Sequence, residues 1–157
     1  MLPSAACGVA PPSGGTDVPV TVGGTVPGVL ALTFGTVPSL GTFMPGVDRD
    51  YLASVAATVT SSATAAALTV RDPSATATGH LVNGTAVMPQ ALQVRADSGA
   101  FAPLSATGAP LTLTSWSTPV GARPVAVEFK QPVAATDSLL RGAYSKTLTF
   151  TLSATTP

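Results

Sequence analysis

The sequence predicts an all-β fold, a single antiparallel β-sandwich of about seven to ten short strands, and two observations carry this prediction. Apolar residues alternate with Ser and Thr at a period of two along many segments, which is typical of strands with one buried face. The 157 residues include 15 Gly and 15 Pro, a content that disfavours long helices. Because 45% of the residues are hydrophobic, a chain of this length can also bury a core.

The clearest alternation lies near the end of the chain, where apolar residues alternate with threonines from Thr147 to Leu152. Residues 53–67 are rich in Ala, so a helix is conceivable there, but the intervening Val, Thr and Ser favour a strand. The topology stays open between an immunoglobulin-like and a jelly-roll-like sandwich. The apolar residues predicted to face the core are Val18, Val20, Val22, Leu30, Leu32, Phe34, Tyr51, Ala53, Val55, Ala57, Val59, Leu68, Val70, Leu92, Val94, Leu111, Leu113, Val125, Val127, Phe129, Leu148, Phe150 and Leu152.

Turn signals separate the predicted strands. The strongest is Asn83-Gly84 between two β-prone stretches, which indicates a hairpin. Residues 1–16 are rich in Pro, Gly and Ser and predict a flexible N-terminal segment, followed by the sandwich over residues 17–157. Prolines such as Pro124 and Pro132 are expected to protect sheet edges. The last strand contains no Pro, so it is either central in a sheet or an edge available to a partner.

Composition excludes several classes of function. Seven Lys and Arg balance seven Asp and Glu, so there is no basic surface for nucleic acid. Every apolar run is interrupted well before the roughly 18 residues that a membrane span needs. The single cysteine, Cys7, excludes an intramolecular disulfide and a cysteine-based zinc cluster. The first residues lack the basic and apolar regions of a signal peptide.

The residues that could carry chemistry are few, and the sequence predicts neither an enzyme nor a cofactor. His80 is the only histidine, and no nucleophile motif accompanies it. Asp48 and Asp50 could contribute oxygen ligands to Ca²⁺, although two such residues in a turn more often form a solvated loop. Trp116 could stack on a glycan, but a lone Trp more often packs against a core or at an edge.

A lysine–asparagine isopeptide bond is a further alternative, because Lys130, Lys146 and Asn83 occur in a chain with very few such residues. Glu128 lies two positions before Lys130, on the same face of a regular strand. The turn-forming Asn83-Gly84 pair, however, already explains the asparagine.

Several phrases of the sequence resemble a β-sandwich domain of actinobacterial surface proteins, which recurs at the C-termini of large secreted proteins after Ig-like repeats. The phrases are ATGHLVNG at 77–84, MPQALQV at 88–94, GAFAP at 99–103, LGTFMPGV at 40–47 and LRGAYSKTLTFTLS at 140–153. The domain is broadly similar to WxL-type cell-wall-binding domains, but Trp116 is followed by Ser117 and Thr118, so the Trp-x-Leu motif is absent. The resemblance implies an extracellular location and transfers no active-site residue.

The expected function is that of a non-enzymatic, extracellular structural or adhesive module of a bacterial surface protein. Its expected partners are other copies of itself or other surface proteins, with a cell-wall glycan as a further option. A second hypothesis is self-assembly into a fibre or sheath by β-strand addition, and a third is a glycan- or calcium-binding module. The strand expected to mediate assembly comprises Thr147, Leu148, Thr149, Phe150, Thr151 and Leu152.

Overall fold

The protein forms ten β-strands in a computed structural model that describes residues 15–154. The predicted flexible segment at 1–16 lies almost entirely outside the described residues. No helix is present between residues 15 and 154, and the Ala-rich stretch at 53–67 belongs to strands and the turn between them. The strands are β1 (Leu30–Phe34), β2 (Arg49–Ser61), β3 (Ala66–Arg71), β4 (Val82–Asn83), β5 (Ala86–Val87), β6 (Gln93–Ala96), β7 (Ala102–Pro103), β8 (Leu111–Trp116), β9 (Val120–Val133) and β10 (Thr149–Ala154).

The strands form two main antiparallel sheets, and the predicted all-β, sandwich-like architecture is confirmed. The larger sheet has five strands in the order β1-β2-β9-β6-β7, and the smaller has three in the order β10-β3-β8. A separate two-stranded hairpin consists of β4 and β5. The longest pairing joins β2 to β9, from Arg49 opposite Val133 to Ser61 opposite Val120.

The core lies between the two sheets and follows the alternation seen in the sequence. Along β2, Tyr51, Val55, Ala57 and Val59 are buried while the residues between them are more exposed. Leu68 and Val70 of β3 and Val125 and Val127 of β9 are also buried. Apolar side chains at every second position therefore pack against the opposite sheet, as half-buried strands require.

The Asn-Gly hairpin is confirmed, with its turn one residue later than the dipeptide suggests. Asn83 is the last residue of β4 and pairs with Ala86, so Gly84 and Thr85 form the two-residue turn. Gly84 has a φ of 61°, a left-handed conformation that glycine adopts without steric cost.

Two expectations about the edges of the fold are wrong. Val18, Val20 and Val22 lie outside every sheet, because their alternating segment finds no pairing partner among residues 15–154. Pro124 and Pro132 lie within β9, which is an interior strand. They are tolerated there because β6 pairs with β9 only from Val127 to Lys130, so the missing proline N–H groups can face the uncovered side.

Candidate functional site at the open side of the sandwich

The strand expected to mediate assembly is an edge strand. Thr149–Ala154 form β10, which pairs with β3 along its whole length, and no strand of the described chain covers its other side. Thr147 and Leu148 immediately precede it. Phe150 and Leu152 are half-buried against the core, whereas Thr149 and Thr151 are exposed. The structure therefore decides the alternative that the sequence left open, because β10 is an edge rather than a central strand.

The edge strand of the larger sheet lies beside β10. The ring of Phe34 in β1 packs against that of Phe150, with 4.8 Å between the ring centroids. β1 still has exposed apolar side chains at both ends, since Leu30 is 46% exposed and Phe34 is 39% exposed. We call this flank of the molecule, formed by β1 and β10, the open side.

A large apolar cavity of about 1060 Å³ adjoins the open side. One wall is formed by residues 37–45 between β1 and β2, and the other by residues 139–148 before β10. This volume lies just above the range typical of ligand pockets. The larger apolar side chains that line it are Leu40, Phe43, Leu81, Leu92, Phe129, Leu139, Leu140, Tyr144, Leu148 and Phe150.

Two tyrosines hold the walls of the cavity in place. The backbone N–H of Met44 donates to the hydroxyl of Tyr51 at 2.7 Å, and that of Leu140 donates to the hydroxyl of Tyr144 at 2.8 Å. The ring of Phe43 meets both tyrosine rings edge-on, at centroid distances of 4.8 and 6.3 Å, a favoured geometry for aromatic pairs. The two walls are thus connected across the cavity by three aromatic rings.

A buried ion pair anchors the second wall to β3. Lys146 Nζ lies 3.3 Å from Asp72 Oδ2, and the two side chains are 6% and 0% exposed. The ammonium group also donates to the carbonyl oxygens of Thr76 and Ala77, at 3.0 and 3.1 Å. The segment before β10 is therefore tied to the loop that follows β3.

The carboxylate of Asp72 is well compensated despite its burial. It accepts hydrogen bonds from the Ser74 N–H and hydroxyl and from the Gly79 N–H, in addition to the contact with Lys146. Burial by itself raises the pKa of Asp72, but the hydrogen bonds from Ser74, Gly79 and Lys146 together hold that pKa below its ordinary value. Asp72 is therefore charged in the folded protein at neutral pH.

The β4–β5 hairpin supports the same wall from another direction. The backbones of Val82 and Ser145 exchange two hydrogen bonds of 3.0 Å. The Asn83 side chain donates to the carbonyl oxygen of Arg141 at 3.1 Å. Gly142 has a φ of +136°, and a Cβ there would lie 2.5 Å from Asn83 Nδ2, so this close approach requires glycine.

The predicted calcium ligands lie at the start of β2. Asp50 is in the strand, and Asp48 precedes it and accepts a hydrogen bond from the Ala135 N–H at 2.6 Å. Between residues 15 and 154, no group of three or more His, Cys, Asp or Glu residues is placed to hold a metal ion. The calcium site therefore stays a prediction, since the described residues add no third ligand of these types to Asp48 and Asp50.

The remaining candidate residues are spread over the molecule. Trp116 ends β8 and is half-buried against the core. His80 contacts the carbonyl oxygen of Met88 through Nδ1 at 2.8 Å. Lys130 lies over the ring of Phe101, 4.8 Å from its centroid, and Glu128 pairs with Arg95. The residues considered for an isopeptide bond therefore each have a different contact: Lys130 with Phe101, Lys146 with Asp72, and Asn83 with Arg141.

Sequence reasoning missed both the cavity and the ion pair. Locally, Asp72 precedes Pro73 and accepts hydrogen bonds from the N–H and hydroxyl of Ser74, so its sequence neighbourhood indicates only a turn residue. The pairing with Lys146 has no local signal, because the two residues meet only when β10 aligns with β3.

Comparisons of the chain with protein-family models, curated proteins and solved structures find no match. The resemblance to actinobacterial surface domains consequently stays a prediction.

No helix long and apolar enough to cross a membrane occurs in the part of the chain that the structure describes.

Proposed function

We propose that this chain is a non-enzymatic structural module of an extracellular bacterial surface protein, and that it adheres to other proteins through its open side. The observation that carries the proposal is the position of β10 as an edge strand next to a large apolar cavity. An added strand at such an edge gains backbone hydrogen bonds, and pockets beside the edge bind its alternate side chains.

The sequence of β10 supports this function because it lacks the usual protection of edge strands. Natural proteins guard exposed edges with Lys, Pro or bulges. β10 reads TFTLSA and contains no charge and no Pro. The nearest cation along the sequence, Lys146, is held by Asp72, and Arg71 of β3 lies opposite Thr149 at the start of β10. A net charge of zero also gives little repulsion between molecules.

A second candidate function is self-assembly into a fibre or sheath. The same edge favours it, with a second copy of the chain as the partner. The two candidates differ only in the identity of the added strand, and the association state of the purified chain distinguishes them.

The role of the β10 edge is tested by placing a lysine on it. We expect Thr151→Lys to weaken association of the purified chain by about tenfold, because a charged edge resists pairing with a further strand. Thr112→Lys is the matched control, since Thr112 is an exposed threonine on β8, the opposite edge of the same sheet. Light scattering over a concentration series, with negative-stain microscopy of the same samples, measures the effect. If the unchanged chain associates, equal behaviour of the two variants would contradict a role for β10 in self-assembly. An unchanged chain that stays monomeric would exclude self-assembly and leave adhesion to another protein as the function of this edge.

The proposed location is tested separately with antibodies against the purified chain, applied to intact cells of the source bacterium. Labelling of intact cells is the expected result. Labelling that requires permeabilised cells would contradict the extracellular assignment.

A further inference from the structure

We infer that residues 17–22 of a second copy complete the open side of the sandwich, as a strand that pairs with the free edge of β10. In this arrangement Val18, Val20 and Val22 cover the apolar cavity. The inference rests on the self-assembly candidate above and adds the identity of the inserted strand.

The donor segment has the pattern of a strand but no sheet to belong to. Val18, Val20 and Val22 are 73%, 76% and 90% exposed and alternate with Pro19 and Thr21. Residues at alternate positions of a strand share one face, so pairing would bring all three valines onto the same side. Three valines exposed in this way are an apolar stripe without cover, and covering them is favourable by the hydrophobic effect.

The acceptor has the complementary features. β10 offers a free row of backbone N–H and C=O groups, and its inward side chains Phe150 and Leu152 are only half-buried. Phe150 also lines the cavity, together with Leu148 just before the strand. A strand laid along β10 with its valines facing inward would therefore place them over an apolar surface that the chain's own sheets leave uncovered.

Pro19 is compatible with this pairing in only one of the two strand directions, the direction that points the backbone groups of the three valines at β10. Successive backbone N–H groups of a strand point to opposite sides, so those of Val18, Val20 and Val22 point one way and that of Thr21 points the other. If the three valines bond to β10, position 19 faces outward, where the missing N–H of proline costs nothing. The outer edge of the added strand would then lack the N–H group of Pro19 and would be protected against a further strand. The assembly would grow because each new copy inserts its own segment beside the β10 of another copy.

The position of the donor segment within the chain favours a second copy over the same copy. Val29, just before β1, exchanges hydrogen bonds with Ser62 at 2.7 and 2.9 Å, which places the exit of the segment at the Leu30 end of β1. The cavity wall at 37–45 follows the opposite end of β1. Pro27 restricts Val26 to an extended conformation, and the described chain does not fold residues 17–22 back onto its own edge.

The inference is tested with two single substitutions in the full chain, Val20→Asp and Thr21→Asp. Both place the same charge in the same segment, but only residue 20 would face the cavity. We expect Val20→Asp to raise the concentration needed for association by at least about tenfold, because an unpaired carboxylate would be buried. Thr21→Asp should change that concentration by less than about threefold. Sedimentation and light scattering over a concentration series provide the readout.

A synthetic peptide of residues 15–24 provides an independent measurement. We expect it to inhibit association of the unchanged chain, whereas the same peptide carrying Val20→Asp should not. A wild-type chain that is monomeric at all concentrations would overturn the inference. This outcome covers the two other occupants of the cavity, which are the chain's own segment and an apolar small molecule. Thr151→Lys could weaken association while Val20→Asp and Thr21→Asp behave alike. In that case the β10 edge still mediates association, and the assignment of residues 17–22 as the inserted strand is wrong.

Discussion

The closed and open sides of this sandwich contain similar apolar residues but pack them differently. We call the part of the core formed by Val59, Leu68, Val70, Val125 and Val127 the closed side, and these residues are at most 1% exposed. On the open side, apolar side chains surround a cavity of about 1060 Å³, and several of them, such as Leu140, Leu148 and Phe150, remain partly exposed. The difference shows that apolar content alone does not close a core. The side chains must also be carried on elements that bring them into register.

The lengths of the paired strands explain the difference. β2 and β9 have 13 and 14 residues and pair almost throughout, so their alternating side chains meet the opposite sheet at regular intervals. The walls of the cavity at 37–45 and 139–148 contain no strand. Their apolar residues depend on tyrosine hydrogen bonds, the Asp72–Lys146 pair and the β4–β5 hairpin for their positions. The open side is consequently held by a few specific contacts.

The largest expected effect comes from removing the charge at the junction between the two sides. Asp72→Asn should lower the free energy of unfolding by about 3–5 kcal/mol, because it leaves Lys146 buried without its counter-ion. Asp48→Asn is the matched control, since Asp48 is exposed and accepts a single backbone hydrogen bond. The control should change stability by less than about 1 kcal/mol. Urea unfolding of both variants measures the difference, and equal losses would show that the buried pair does not anchor the wall.

The same carboxylate makes part of the stability dependent on pH. The pKa of Asp72 is lower in the folded protein than its ordinary value of 3.8. Its contribution is therefore fully present above that ordinary value and is lost as the pH falls through the lower, folded pKa. Urea midpoints measured between about pH 2 and 6 should fall more steeply at the acidic end for the unchanged chain than for Asp72→Asn. Parallel pH profiles would contradict the lowered pKa.

A pair of leucine truncations compares the two sides directly. Leu68→Ala on the closed side should cost about 2–5 kcal/mol, because Leu68 is 0% exposed and its removal leaves a new cavity. Leu148→Ala on the cavity wall should cost only about 1 kcal/mol, since that side chain is half-buried and already borders open space. Urea unfolding gives both values. A cost at Leu148 as large as that at Leu68 would mean that the cavity is closed in solution.

A smaller effect on stability than that of Leu68→Ala is expected at the glycine of the second wall. Gly142→Ala should cost about 1–3 kcal/mol, because its φ of +136° disfavours other residues and a Cβ would press on Asn83. Gly121→Ala is the control, since no atom lies within 4 Å of a Cβ at that position. Thermal unfolding of the two variants provides the comparison. A neutral result at Gly142 would show that the wall adjusts easily and does not depend on the hairpin.

Much of the fold was predictable from local patterns, as particular elements show. The alternation at Tyr51–Val59 and at Val125–Phe129 correctly identified the buried faces of β2 and β9. The same reasoning failed at Val18–Val22, where the pattern is equally clear but no partner strand exists in the described chain. Alternation of apolar and polar residues indicates which face of a strand would be buried. Whether that face is buried depends on a second segment that packs against it.

By itself, the sequence determined the all-β class, most of the strands and the face that each strand buries, because alternation and turn residues act over a few neighbouring positions. Only the tertiary structure decided that β10 is an edge, that Asp72 pairs with Lys146 and that an apolar cavity lies beside the open side. Each of these features joins segments that are distant in the chain. Their energies depend on packing and desolvation, which no local pattern of residues records.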